Sequence, residues 1–163
     1  MVSLLIHAIL GLAVITWIVT SNRQVFSHVD GGGLFSPLEA LYYVIGIASV
    51  VLGWYFNVRF VQDYSKGSTN PLWGEHGSWK EYIQLMFTNP AASSASQDYT
   101  IANVVLLPLF TTVDGYRRGL RRPWLYFVSS LFTSFAFAFA FYFATIERQH
   151  RHAGSDQALT PSR

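Results

Sequence analysis

The chain contains no cysteine, which excludes a disulfide framework, a thiolate metal site and a cysteine nucleophile. Charge is the next scarcity: only 12% of the 163 residues are Asp, Glu, Lys or Arg, against about 25% in an average soluble domain. An excess of one sign is missing as well. Eleven Lys+Arg against nine Asp+Glu leave a formal +2, too small and too scattered for nucleic acid binding, which needs a basic face. No Gly-x-Ser-x-Gly or His-Glu-x-x-His pattern occurs, and Gly31-Gly32-Gly33 lacks the Lys and Ser/Thr of a phosphate-binding loop, so it reads as a flexible turn. What is abundant is apolar side chain, at 51% of the residues. That balance predicts an all-α membrane protein, with the lipid bilayer as its first partner and no nucleic acid among the others.

The ionisable residues leave four gaps: before Arg23, from Glu39 to Arg59, from Asp98 to Asp114, and from Arg122 to Glu147. A hydrocarbon layer about 30 Å thick takes ~20 apolar residues as a helix, whose backbone groups are satisfied internally. The gaps therefore predict a single membrane domain over 1–150, a four-transmembrane-helix bundle with spans at about 4–20, 38–60, 91–113 and 123–146. The first span has no basic residue before it and no small-x-small site after it, so it reads as an uncleaved anchor. Ser36-Pro37 with Glu39 opens the second, and Gly46, Ser49 and Gly53 give that helix a nearly bare face for close packing. Pro108 predicts a kink in the third, with Thr111, Thr112 or a neighbouring helix taking up the freed carbonyl. The fourth holds 24 uncharged residues. Its Phe-Ala alternation resembles a strand, but a lone strand in lipid leaves its edges unpaired, so a helix is expected. On that helix Ser129, Thr133, Ala136, Ala140 and Ala144 form a small-residue seam, while Phe132, Phe135, Phe139 and Phe143 face lipid or a bound chain.

Between spans two and three, Ser78-Trp79-Lys80-Glu81 has the form of a capping box. Trp79, Tyr82, Ile83, Met86 and Phe87 share one side, which predicts a short interfacial amphipathic helix at about 78–88, closed by Asn89-Pro90. Asn70-Pro71 and the glycines at 67, 74 and 77 make the rest of that loop turn-rich. Arg117, Arg118, Arg121 and Arg122 crowd the 115–122 turn and join Arg23 on one face. Arg59, Lys66, Lys80, Arg148 and Arg151 lie on the other, an equal count. Short loops weigh most in orientation, so the expectation is a cell-membrane protein with the Arg-rich turn cytoplasmic and both termini outside. After Arg151 no apolar periodicity remains, and 151–163 is expected to be a disordered tail.

The run Phe87-Thr88-Asn89-Pro90-Ala91-Ala92-Ser93-Ser94, then Asp98 opening an apolar stretch, Arg117-Arg118-Gly119-Leu120, and an aromatic segment ending Glu147-Arg148 resembles the small bacterial integral-membrane family known as domain of unknown function 2834. The likeness covers about residues 79–148 and extends toward the second span. It implies a multi-pass membrane protein and carries no catalytic residue over.

Candidate chemistry is thin. Asp98 and Asp114 bound the third span, about 24 Å apart on a continuous helix, so they cannot share a metal ion. Asp114 reads as a salt-bridge partner of the arginines, and Asp98 as either a helix cap or a buried acid. With Asn103 and His7, Asp98 makes up the set of candidate catalytic residues. Asn57, Arg59, Asp63 and Tyr64, with Asn103 and Thr111-Thr112, read as an internal polar cluster or as helix-to-helix glue. His150 and His152 lack a third ligand, so no metal and no cofactor is expected. Three functional classes follow: a non-catalytic accessory component that docks a membrane partner or a second copy of the chain, a lipid- or isoprenoid-handling protein, and an ion or proton conductor. The last is disfavoured because no ladder of ionisable groups crosses the bilayer.

Overall fold

A computed structural model describes residues 2–29, 33–65, 70 and 72–159, with side chains from Leu4 to Ser155. The Gly31-Gly32 turn, Lys66, Gly67, Pro71 and the last four residues lie outside the described residues. Every regular element among the described residues is helical. In chain order these are α1 Val2–Ser21, α2 Arg23–Phe26, α3 Pro37–Tyr64, α4 Trp79–Leu85, α5 Pro90–Thr100, a π-helical segment Ile101–Leu106, α6 Leu107–Arg117, α7 Leu125–Ser130 and α8 Phe135–Leu159. Two of them, over Leu4–Ser21 and Pro37–Tyr64, are long and apolar enough to cross a membrane.

Local chemistry sets several of these boundaries. Ser36 caps α3 by accepting from the Glu39 amide at 3.1 Å, with Pro37 preset in the first turn. Ser78 accepts from the Glu81 amide at 3.2 Å, while the Glu81 carboxylate reaches back to the Gly77 N–H rather than to that of Ser78. Asn89 caps α5 by accepting from the Ala92 amide at 3.0 Å. Pro108 has no N–H for the Val104 carbonyl, and the chain answers with the wider π turn just ahead of it. Thr111 donates to the Leu107 carbonyl at 2.9 Å instead of the one Pro108 leaves.

The expected fourth span is corrected. Its apolar run does not form one helix but a hairpin, α7 and α8 joined through Leu131–Ser134. The Tyr126 hydroxyl donates to Thr145 Oγ1 at 2.8 Å, and its ring lies 5.4 and 5.0 Å from those of Phe141 and Tyr142, so the two helices run antiparallel. The cause is the polar cluster at the break. Ser129, Ser130 and Thr133 hydroxyls donate to the carbonyls of Tyr126, Phe127 and Ser129, satisfying the open end of α7. Ser134 then caps α8 by accepting from the Phe137 amide at 3.0 Å. Length and hydropathy do not register this change of direction.

Because the chain turns back, the end of α8 lies beside the Arg-rich turn. Gln149 donates to the Arg118 carbonyl at 3.2 Å, and Arg118 meets His150 at 3.4 Å. Asn22, fully buried at the end of α1, exchanges hydrogen bonds with the Arg121 backbone at 3.1 and 2.8 Å. Arg122 stacks over Trp17. The expected separation of the C-terminal segment from the Arg-rich turn is thereby corrected. So is the disordered tail as far as Leu159, since α8 continues through it, its first turn beyond residue 150 anchored by Arg151 on Glu39 and by His152 on the Val25 carbonyl.

α8 runs antiparallel along α3. Ser49 and Ser134 hydroxyls meet at 2.8 Å, Gly46 faces Phe137 and Ala140, and Glu39 meets Arg148 and Arg151. That last contact is a buried charge node. Glu39 is 0% exposed, and its carboxylate oxygens accept from Arg148 at 2.6 Å and Arg151 at 2.5 Å. Arg148 also donates to the carbonyls of Val25, Ser27 and Leu34. The close-packed core, with Ile18, Leu125, Tyr126, Phe141 and Tyr142, occupies this end of the molecule. The other end is hollow.

Candidate functional site

The hollow end encloses a cavity of about 560 Å³, within the range of small-molecule sites. Its floor is the tip of the hairpin, Ser130 to Ser134. Its walls are the start of α1 at Leu4 and His7, the second half of α3 from Gly53 to Val61, and α5 with the π segment at Tyr99 to Val104. The segment Gly77 to Phe87, which contains α4, closes it over. Two backbone irregularities thus meet the cavity: the helix break forms its floor, and the π turn brings Asn103 onto its wall.

Two of the three candidate catalytic residues arrive here. The His7 ring stacks on Trp79 with centroids 5.7 Å apart and meets the edge of Phe132 at 5.8 Å, so the N-terminal helix, the covering helix and the floor share one aromatic cluster. Asn103 is buried. Its amide donates to the Tyr99 hydroxyl at 3.2 Å, and its carbonyl, 2.9 Å from the Ser130 hydroxyl, shares that one proton with the Phe127 carbonyl. Ser96 ties α5 to the end of the covering segment by donating to the Met86 carbonyl at 2.7 Å. Phe60 packs edge-on to Tyr82 at 5.3 Å. Asp98 does not join them. It lies exposed in the last turn of α5, neither capping the helix start, which Asn89 does, nor buried.

The packing residues divide. Gly46 and Ser49 meet α8, and Ala140 receives Gly46, whereas Gly53 has nothing within 4 Å of its would-be side chain and opens on the cavity. Ser129 and Thr133 spend their hydroxyls on the hairpin turn, Thr133 also lining the floor, and Ala136 is half-buried on the first turn of α8. Of the phenylalanines expected to face outward only Phe139 is exposed. Phe132 is on the floor, Phe135 meets Tyr99, and Phe143 stacks between Tyr42 and Phe110. The polar cluster proposed around Asn57 splits as well: Asn57 lines the cavity, Arg59 pairs with Asp63 at 3.4 Å on the exposed side of α3, and Thr111 is buried in α6.

Asp114 is at the opposite end. It accepts from Arg118 at 2.7 Å and from the Tyr142 hydroxyl at 2.8 Å. Desolvation alone would push its carboxyl up, but those two hydrogen bonds and the charges of Arg118 and Arg117 outweigh it and hold the group below the ordinary carboxylate range. Among the described residues no group of three His, Asp or Glu side chains converges on a metal position. His150 and His152 turn to Arg118 and to the Val25 carbonyl.

Sequence reasoning missed Ser130 and Ser134 as floor residues and Tyr99 as the partner of Asn103. It also read Glu39 only as a first-turn acid. The available signal was the doublet Ser129-Ser130 followed by Thr133-Ser134, a pattern that ends one helix and starts another.

No curated protein and no solved structure matches this chain. Residues 41–148 match the family described as protein of unknown function DUF2834. That stretch reaches from Leu41 in α3 to Arg148, takes in most of the cavity wall and the hairpin as far as Arg148, and spans more than half of the chain, which therefore belongs to that family.

Proposed function

We propose that this chain is a multi-pass membrane protein that holds a lipid-like ligand in the cavity above its hairpin. The membrane part of the reading rests on where the apolar surface goes. A core helix of a soluble protein is mostly buried, yet the spanning-length windows of α1 and α3 are 17% and 6% buried, leaving Leu12, Val44, Ile47, Val51 and Leu52 more than half exposed. Lipid is the solvent that suits such faces. With α5, the π segment and α6 up to Val113 as one further crossing, the architecture has three crossings and a re-entrant hairpin. Irregular backbone is tolerated at membrane depth where protein buries it or it lines a cavity, and the hairpin tip meets both conditions.

The hairpin also breaks the tie in the charge count. Arg23, Arg117, Arg118, Arg121, Arg122, Arg148 and Arg151 now share one end, while Arg59 and Lys80 are the basic residues described at the other. That bias favours a cytoplasmic Arg-rich end, which carries the C-terminal segment with it and leaves the α4 loop and the start of α1 outside.

The observation that carries the ligand reading is the cavity itself: an aromatic chamber, with a few converging hydroxyl and amide groups, covered by an amphipathic helix at interfacial depth. The docking reading has less support, since α8 of the same chain takes up Gly46 and Ser49. The test is mass spectrometry of the protein purified in mild detergent. A retained apolar chain is expected, lost in Gly53→Leu, where the new side chain enters open space. A wild-type protein that neither retains nor takes up any lipid would overturn the reading.

A further inference from the structure

The chemistry of the lining narrows the ligand, given the lipid-binding reading on which this step rests. Among the described residues no Asp, Glu, Lys or Arg lines the cavity. The basic residues nearest in sequence are engaged or outside it: Arg59 pairs with Asp63 on the exposed side of α3, and Lys80 sits on the exposed side of α4. A phosphate or carboxylate head group drawn among these aromatic walls would find no described side chain of opposite charge to pair with, which is costly. Charge complementarity therefore selects a neutral head.

What the walls offer is uncharged hydrogen-bond donors. Asn57 on α3 makes no side-chain hydrogen bond among the described residues. Across from it, the Tyr99 hydroxyl accepts from Asn103 and keeps its own proton to donate, and one N–H of the Asn103 amide remains beyond its bond to Tyr99. Two donor sets on different walls suit a ligand with acceptor oxygens at two edges. The remaining surface is aromatic, from Trp54, Phe60, Trp79, Tyr82 and Phe132, and the near-parallel stacking of His7 on Trp79 at 19° presents flat faces. We infer that the cavity binds a neutral amphiphile with a flat, carbonyl- or hydroxyl-bearing ring and an apolar tail, the chemistry of quinone and quinol lipids, with Asn57 and the Tyr99–Asn103 pair as hydrogen-bond partners of the ring oxygens.

A saturable change in tryptophan emission in non-ionic detergent tests this, quenching for a quinone and a spectral shift for an aliphatic lipid, because Trp54 and Trp79 line the chamber. Three probes separate the head-group classes: decylubiquinone for the ring, dioctanoylglycerol for a neutral head without one, and oleate for an anionic head. Decylubiquinone is expected to saturate and to bind at least about tenfold more tightly than either of the others, the order expected for one or two extra hydrogen bonds. Asn57→Leu is expected to weaken it roughly five- to tenfold without changing the unfolding temperature, and Gly53→Leu to leave only unsaturable quenching. Tighter oleate or equal dioctanoylglycerol binding would overturn the quinone assignment and keep the lipid reading. Saturation by none of the three would overturn both.

Discussion

The buried charge node at Glu39 offers the sharpest energetic test of how the hairpin is held. Glu39→Gln keeps the shape of the side chain and removes its charge. Glu39 is 0% and Arg148 5% exposed, with a 2.6 Å contact between them, so the variant strands a guanidinium away from water. Breaking a buried pair by removing one partner costs about 3–5 kcal/mol. The carbonyls of Val25, Ser27 and Leu34 still receive Arg148, which places the expected loss near the lower bound, about 3 kcal/mol. In a chain of this length that lowers the unfolding temperature by roughly 6–12 °C, read by tryptophan emission in detergent. Arg151→Ala is expected to cost less, since its side chain keeps 14% exposure and releases to solvent more cheaply. Replacing Glu39 and Arg148 together by leucine is expected to recover part of the Glu39→Gln loss, because an apolar pair removes the stranded charge. A Glu39→Gln protein within about 2 °C of wild type, under 1 kcal/mol, would refute the reasoning and mean that water reaches the node.

Three further outcomes follow from contacts elsewhere in the molecule. Gly115→Ala places a methyl group 2.3 Å from Pro123 Cβ, where neither helix nor ring yields easily; a loss of about 1–3 kcal/mol is expected, visible as a lower unfolding temperature. Gly46→Leu is expected to destabilise by wedging α3 from Phe137 and Ala140, whereas Gly53→Leu, facing open space, holds or raises the unfolding temperature; equal effects of the two would contradict the division of that helix into a packed and a cavity-facing half. Asp114 titrates below the usual carboxylate range when folded, so its contribution is in place above the unfolded value and is lost as pH falls through the folded one. Asp114→Asn is accordingly expected to flatten the decline of unfolding temperature with acid, measured from neutral pH downward.

Much of the helical scaffold was readable in the residues. The caps at Ser36, Ser78 and Asn89, the short helix α4 and the Asp114–Arg118 pair are local effects, each settled by neighbours within four positions. Nonlocal events were hidden. The hairpin depends on whether Ser129, Ser130, Thr133 and Ser134 spend their hydroxyls on the neighbouring helix or on their own backbone, and helical spacing is compatible with either. Glu39 illustrates the same gap, since an acid in a first turn is explained by the helix dipole until the returning α8 brings Arg148 and Arg151 to it. His7 and Asn103 were picked out as polar groups in apolar runs, and the structure joins them in one chamber. Asp98 was picked by the same logic and lies outside it, because its face of α5 points away from the hairpin tip.

The hairpin, which we propose is re-entrant, is the feature on which cavity, proposed orientation and charge node all depend, and side-specific labelling tests it most directly. The absence of native cysteine lets single cysteines at Glu75, Arg117 and Gly154, all exposed, be probed with a membrane-impermeant maleimide on intact and on opened cells. The account predicts that Arg117→Cys and Gly154→Cys label together from the cytoplasmic side while Glu75→Cys labels from outside. Labelling of the first two from opposite faces would mean that the last apolar run crosses the bilayer, and would contradict it.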